Sequence, residues 1–255
     1  MQAQVPQTNF VVLCGSDSMG AILIPRLAEA SRKEIPGVRF DIRGEGTGAA
    51  FSSLAERNCR LGMASRPIQR SEAALLKNAG VEVEVVEVAR DQMVIYVNAA
   101  NPVQGLSTVQ VEKIFTGEVT NWTEVGGPHG NIVIYGRNPE MEGSKVFRQL
   151  AMGGREFART MQQGGADSPL TLVSRDPNGI TFGNLQVRSK LLKALPIDKA
   201  VPGTIQSNPP YPWNRPFLLY VSKDATAMER SLLKFIRSPK ALEVIQSIGL
   251  LPPSS

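Results

Sequence analysis

Glycine, serine and threonine recur in three short segments, each placed where an apolar β-type run gives way to helical spacing. Cys14-Gly15-Ser16-Asp17-Ser18 stands before one helical stretch, Arg43-Gly44-Glu45-Gly46-Thr47-Gly48 before a second, and Ser65-Arg66-Pro67 follows a third apolar run. Small residues let the backbone come close to a ligand. The first N–H groups of a helix lack intrahelical acceptors, and the positive end of its dipole favours negative charge. The chemistry these residues fit is oxyanion binding by backbone and hydroxyl donors. The candidates are Ser16, Ser18 and the Met19 N–H in the first loop, Gly46 and Thr47 in the second, and Ser65 and Arg66 in the third. Serine or threonine before a helix is also an ordinary N-cap, and Ser18 or Asp17 sits where a cap belongs.

A fourth segment, 136–144, carries Arg137 between a strand and a helix that Gly143 or Ser144 opens. An arginine there can offer a two-pronged fork to an oxyanion, or pair with Glu140 or Glu142 at the surface. Other chemistries lack their parts. The run 44–48 has neither the GxGxxG spacing of a dinucleotide site nor a P-loop GxxxxGK[ST], so no cofactor is expected. One histidine, His129, leaves no metal cluster and no Ser-His-Asp triad; a hydrolase using Ser18 or Ser65 as nucleophile would have no evident general base. Cys14 and Cys59 are either one bridge or two buried thiols.

The elements that position these loops follow from periodicity. Strands are expected at 10–13, 37–42 and 61–64, each followed by a helix (19–33, 49–57, 71–78). Successive strand-loop-helix units imply a parallel sheet with crossover helices, and open sheets of this kind bind ligands at the carboxyl ends of their strands. Beyond them come a half-exposed strand at 81–88, a polar break at 90–92 and a second strand at 93–97. Then follow a helix at 109–115, a strand at 132–135, a helix from 143 or 144 to 152 and a polar helix at 153–165. A strand at 217–221 and helices at 226–236 and 239–248 close the chain.

At 255 residues and 42% hydrophobic the chain can bury more than one core, so two lobes are expected. The net charge of +5 is dispersed rather than gathered into a block, which argues against nucleic acid. No apolar run reaches the ~18 residues of a membrane span, so no membrane insertion is expected. The Gln- and Ala-rich start suits a mature N-terminus left by signal cleavage.

Taken together, 15–19, 44–48, 62–67, 114–122 with 125–127, 136–140 and 177–182 resemble, in order and spacing, the periplasmic phosphate-binding proteins of phosphate ABC importers. The resemblance covers nearly all the chain. It implies an α/β, two-lobed periplasmic-binding-protein fold, each lobe a mainly parallel sheet flanked by helices, with the ligand in the interlobe cleft. Lobe 1 would comprise 9–88 plus 206–255 and lobe 2 89–205. It further implies a monomeric, non-enzymatic receptor, periplasmic or secreted, that closes on inorganic phosphate and delivers it to an ABC permease. The implied ligand set is Ser18, the Met19 N–H, Thr47, Ser65 or Arg66, Arg137 and the turn at Gly143-Ser144. One departure stands out: where the family reads Ser-Gly-Thr after the arginine, this chain reads Met141-Glu142-Gly143, or Glu142-Gly143-Ser144 with one residue inserted. Glu142 must then turn to Arg137, be protonated, or face water. An alternative follows: the same fold serves a different oxyanion, or a sensory or secreted domain with an altered site.

Overall fold

In a computed structural model, which describes residues 10–164, 167–185, 187, 189–204 and 208–253, the chain divides into two compact units. One is Met1–Arg90 with Arg215–Ser255; the other is Asp91–Asn214.

The first unit begins with β1 (Phe10–Gly15). A π-wound stretch, Met19–Leu23, runs from its loop into α1 (Ile24–Ser31), followed by β2 (Arg39–Gly44), α2 (Thr47–Ala55), β3 (Leu61–Ala64) and α3 (Arg70–Asn78). β1 lies between β2 and β3 and is parallel to both, with Gly15 opposite Gly44 on one side and Met63 on the other. The alternation of β1 explains both cores. Val11 and Leu13 join Leu23, Leu27, Leu61 and Met63 on one face, while Val12 and Cys14 turn to Phe51, Leu54 and Cys59 on the other. Gly15 is required by this packing: at φ +127°, a Cβ would fall 2.2 Å from the Met63 carbonyl oxygen and 2.7 Å from the Ala50 Cβ.

β4 (Val83–Asn98) carries the chain from the first unit into the second as one continuous strand of 16 residues. The two separate strands expected from the polar run at 90–92 are thus corrected. Asp91 and Gln92 are each 1% exposed, and the strand continues because their polar groups are engaged. The Gln92 side-chain amide donates to Asn214 Oδ1 (2.9 Å) and accepts from the Gly203 N–H (2.7 Å), and its backbone N–H donates to Asp91 Oδ1 (2.9 Å).

The second unit continues with α4 (Thr108–Thr116), a 3₁₀ turn at Trp122–Val125, β5 (Val133–Gly136), α5 (Glu142–Ala151), β6 (Gln162–Gln163), α6 (Pro169–Arg175), β7 (Gly179–Asn184) and β8 (Leu192–Ala194). Its strand order is β4-β7-β5-β6 with β8 on β4. β5 is parallel to β7 and β6, and β4 is antiparallel to β7 and β8. The core is aromatic: Phe147 of α5 lies flat on Phe182 of β7, centroids 4.0 Å apart and planes 1° apart, and meets Phe115 of α4 edge-on at 4.8 Å. The helix expected at 153–165 does not form over its described residues. Gly153 and Gly154 both take positive φ (57° and 84°) and end α5, after which Phe157 and Ala158 turn into the core in irregular backbone.

β9 (Asn214–Ser222) returns the chain to the first unit, antiparallel to β3, and is followed by α7 (Ala227–Ile236) and α8 (Pro239–Ser247). Both helices are capped at positions readable in the sequence: Thr226 accepts from the Glu229 N–H and Ser238 from the Ala241 N–H.

Candidate functional site

The three Gly/Ser/Thr loops of the first unit meet at the carboxyl ends of β1, β2 and β3. The Ser16 N–H donates to Met63 O (2.9 Å), and the N–H groups of Glu45 and Gly46 both donate to Gly15 O (2.9 and 3.0 Å). The Thr47 and Ser65 hydroxyls lie 3.1 Å apart, and the Ser65 N–H donates to Thr47 Oγ1 at 3.1 Å.

Helix starts in this cluster differ from the expectation at one point. Asp17 and Ser18 are already helical, and the Gly20 N–H reaches Ser16 O at 2.9 Å, so the cap is Ser16 and not Ser18 or Asp17. Ser16 is 2% exposed, and its hydroxyl accepts the Met19 N–H at 3.4 Å, a long bond. The Met19 N–H therefore already has a partner. The donors left by the helix geometry are the first-turn N–H groups of Asp17 and Ser18, and those of Thr47 and Gly48 at the start of α2. Gly46, at φ 90° and ψ 156°, is the cap residue of α2.

Asp17 is the residue that sequence reasoning undervalued. Its Oδ1 accepts the Gly46 N–H at 3.0 Å, tying the first loop to the second and placing a carboxylate among hydroxyl and amide donors. A serine-flanked aspartate at a helix start was the available signal. Arg66, by contrast, is engaged by its own helix: its guanidinium makes two bonds to the Glu72 carboxylate (2.9 and 2.7 Å) and one to Pro67 O (3.1 Å). Burial alone would raise the Glu72 pKa, but the Arg66 and Gln69 donors outweigh it and hold the carboxyl below its usual value.

In the second unit the fourth segment lies where β5 gives way to α5. Met141 caps α5 without a side-chain hydrogen bond, and the N–H groups of Ser144 and Lys145 both turn back to Met141 O (3.0 Å each). That leaves the Glu142 and Gly143 N–H groups as first-turn donors. Ser144 is 2% exposed, and its hydroxyl has no hydrogen-bond partner among the described residues. Arg137 is exposed and has no ion pair among the described residues, since Glu140 pairs with Lys145 at 3.1 Å instead. The expectations for the Glu142 side chain fall outside what the structure describes. Gly136, Arg137, Met141, Gly143 and Ser144 line a pocket of about 460 Å³. Its other walls are Met93 of β4, Pro169 and Leu170 of α6, 181–184 of β7, and Val187.

The structure thus brings Ser16, Ser18, Met19, Gly46, Thr47 and Ser65 into one cluster in the first unit, with Arg66 beside it and turned to Glu72. It brings Arg137, Gly143 and Ser144 into one pocket in the second unit. Cys14 and Cys59 are both buried free thiols in one apolar cluster. Among the described residues no group of three or more His, Cys, Asp or Glu is placed to hold a metal ion, and no helix is long and apolar enough to cross a membrane.

The chain is 27% identical over 263 aligned residues to the phosphate-binding protein PstS of Pseudomonas aeruginosa, covering 93% of this chain and 81% of that protein. Among solved structures it superposes on an ABC-type phosphate transport receptor from Vibrio cholerae with a TM-score of 0.83 at 27% identity, covering 96% of this chain and 100% of that one. A putative phosphate ABC transporter substrate-binding protein from Clostridium perfringens, crystallised with bound phosphate, gives a TM-score of 0.73 at 27% identity, with coverage of 96% and 100%. The model of the PBP superfamily domain matches residues 3–239, and by that match the chain belongs to the PBP superfamily.

Proposed function

We propose that this protein is a solute-binding receptor that captures inorganic phosphate in the periplasm or outside the cell and presents it, chemically unchanged, to an ABC importer. One observation carries the reading: among the described residues, the buried Ser144 hydroxyl has no partner and Arg137 beside it has no ion pair, both at a helix N-terminus without a side-chain cap. A buried hydroxyl left unmatched costs free energy, and an oxyanion would supply the missing acceptor while meeting the helix dipole and the guanidinium. The loop cluster of the first unit supplies a second set of donors: Thr47 Oγ1, Ser65 Oγ and the first-turn N–H groups of the two helices. The names of the relatives support phosphate as the anion. So does Asp17, because a carboxylate among the donors tolerates an anion that carries a proton, as phosphate does at neutral pH and sulfate does not. Turnover is not part of the reading, since the Ser18 and Ser65 hydroxyls have no imidazole or carboxylate partner among the described residues.

The test is calorimetric titration of phosphate-stripped protein with phosphate, then with sulfate. The reading expects phosphate to bind with little competition from sulfate, and Thr47→Ala and Arg137→Ala each to weaken it. Absence of heat and of thermal stabilisation with phosphate would sink it. A second reading, a different oxyanion on the same fold, is favoured by Met141, an apolar side chain at the helix start where a hydroxyl would suit phosphate.

A further inference from the structure

The pocket at the α5 N-terminus is larger and more apolar than an inorganic anion requires. Its volume of about 460 Å³ falls in the ~300 to 1,000 Å³ range of organic-ligand sites. Its one charged side chain, Arg137, and the Ser144 hydroxyl stand on one wall, the β5–α5 connection. The wall beyond carries Phe182 of β7, Pro169 and Leu170 of α6, Met93 of β4 and Val187, with Thr181 and Asn184 of β7 beside them.

Sheet register gives that wall a length. β7 lies between β5 and β4, with Ile134 of β5 opposite Ile180, and with Ile95 and Met93 of β4 opposite Phe182 and Asn184. Two strand spacings of about 4.8 Å separate β5 from β4, so Met93 belongs to a strand roughly 10 Å from the one that delivers Arg137. A tetrahedral ion seated at Ser144 does not span that distance. The wall is also rigid, because Phe182 is stacked on Phe147 of the helix whose N-terminus would receive the anion. A fixed apolar surface leading away from an oxyanion seat gains nothing from a bare ion, and is stabilised by an apolar substituent attached to one.

We propose that this pocket accepts a tetrahedral oxyanion bearing one apolar substituent, as in a phosphonate or a phosphate monoester. The oxyanion sits at Arg137, Gly143 and Ser144, and the substituent lies along Phe182, Leu170 and Met93. The inference rests on the oxyanion reading above and extends its ligand class from inorganic phosphate to substituted oxyanions.

Ligand-free protein is titrated with inorganic phosphate, methylphosphonate, phenylphosphonate and phenyl phosphate. The expected result is phenylphosphonate binding at least about tenfold tighter than methylphosphonate, the gain typical of added apolar surface in a fitted pocket. Phenyl phosphate, with its bridging oxygen, separates the ester from the phosphonate geometry. Leu170→Asn should erase the phenyl advantage, so that phenylphosphonate binds no tighter than methylphosphonate. Phosphate binding combined with phenylphosphonate weaker than methylphosphonate overturns the inference and leaves the oxyanion reading intact. No binding by any of the four overturns both.

Discussion

Ser144→Ala should strengthen the empty protein and weaken the loaded one, and the opposite signs are what make the substitution informative. The Ser144 hydroxyl is 2% exposed and unmatched among the described residues. A buried polar group in that state costs about 1 to 3 kcal/mol, which alanine removes. Alanine also suits the first turn of α5 better than serine does, by a few tenths of a kcal/mol. Taking about 1 kcal/mol as the net gain, a chain of this size should melt about 2 to 4 °C higher without ligand. Binding moves the other way. A hydrogen bond to a charged acceptor contributes about 1.5 to 3 kcal/mol, so phosphate affinity should fall by about one to two orders of magnitude. Differential scanning calorimetry of stripped protein reads the first effect, and isothermal titration the second. A melting point lowered by about 3 °C or more together with unchanged affinity would refute the reasoning, because it would mean that the hydroxyl serves the fold and not the ligand.

Arg137→Ala should weaken phosphate by roughly 2 to 4 kcal/mol through loss of a two-pronged charged partner, yet leave the melting point of the empty protein unchanged, because Arg137 is exposed and without an ion pair among the described residues. Asp17→Ala should narrow the preference for phosphate over sulfate by tenfold or more in competition titrations, since the proton acceptor is gone; an unchanged ratio would remove Asp17 from the selectivity argument. Gly15→Ala should cost about 3 kcal/mol or more in urea unfolding, because its Cβ would lie 2.2 Å from the Met63 carbonyl oxygen at a φ of +127°. The Glu72 carboxyl, held below its usual range despite burial, contributes stability that is complete above the unfolded value of about 4.3 and is lost as pH falls through the lower folded value. Glu72→Gln should therefore flatten the acid limb of the stability curve below about pH 4.3. Burial, with the neighbouring Cys14, pushes the Cys59 thiol far up, so Cys59 should not react with a disulfide reagent near pH 8 until the protein is unfolded.

Most of what positions the loops is local, and local pattern is what a single sequence carries. Alternation in β1 and Gly15 at its end together specify a strand running into a tight loop, and the same logic repeats through β2 and β3. What escaped was set by partners distant in sequence. The polar run at 90–92 reads as a break, yet it lies inside β4 because Asn214 and Gly203, more than a hundred residues away, meet the Gln92 side chain. Arg66 reads as a ligand donor, yet α3, whose Glu72 also closes a capping box with Gln69, holds its guanidinium in an ion pair. In the remaining cases the local rule and the structure disagree in a telling way. A helix start should be capped, and α1 and α7 follow that rule through the stretch at Ser16 and through Thr226. α5 does not: it begins with Met141, which makes no side-chain capping bond, and it buries a hydroxyl with no acceptor among the described residues. The start of α2 is likewise without a side-chain cap, but α5 alone of the two adds a buried hydroxyl unmatched among the described residues, and donors left unspent in this way lie where a ligand can complete them, since sites that break local rules are where function is expected to reside. By the same argument, a phosphate bound at α5 should raise the melting point of the native chain more than that of Ser144→Ala, and the difference measures how much of the α5 site the ligand fills.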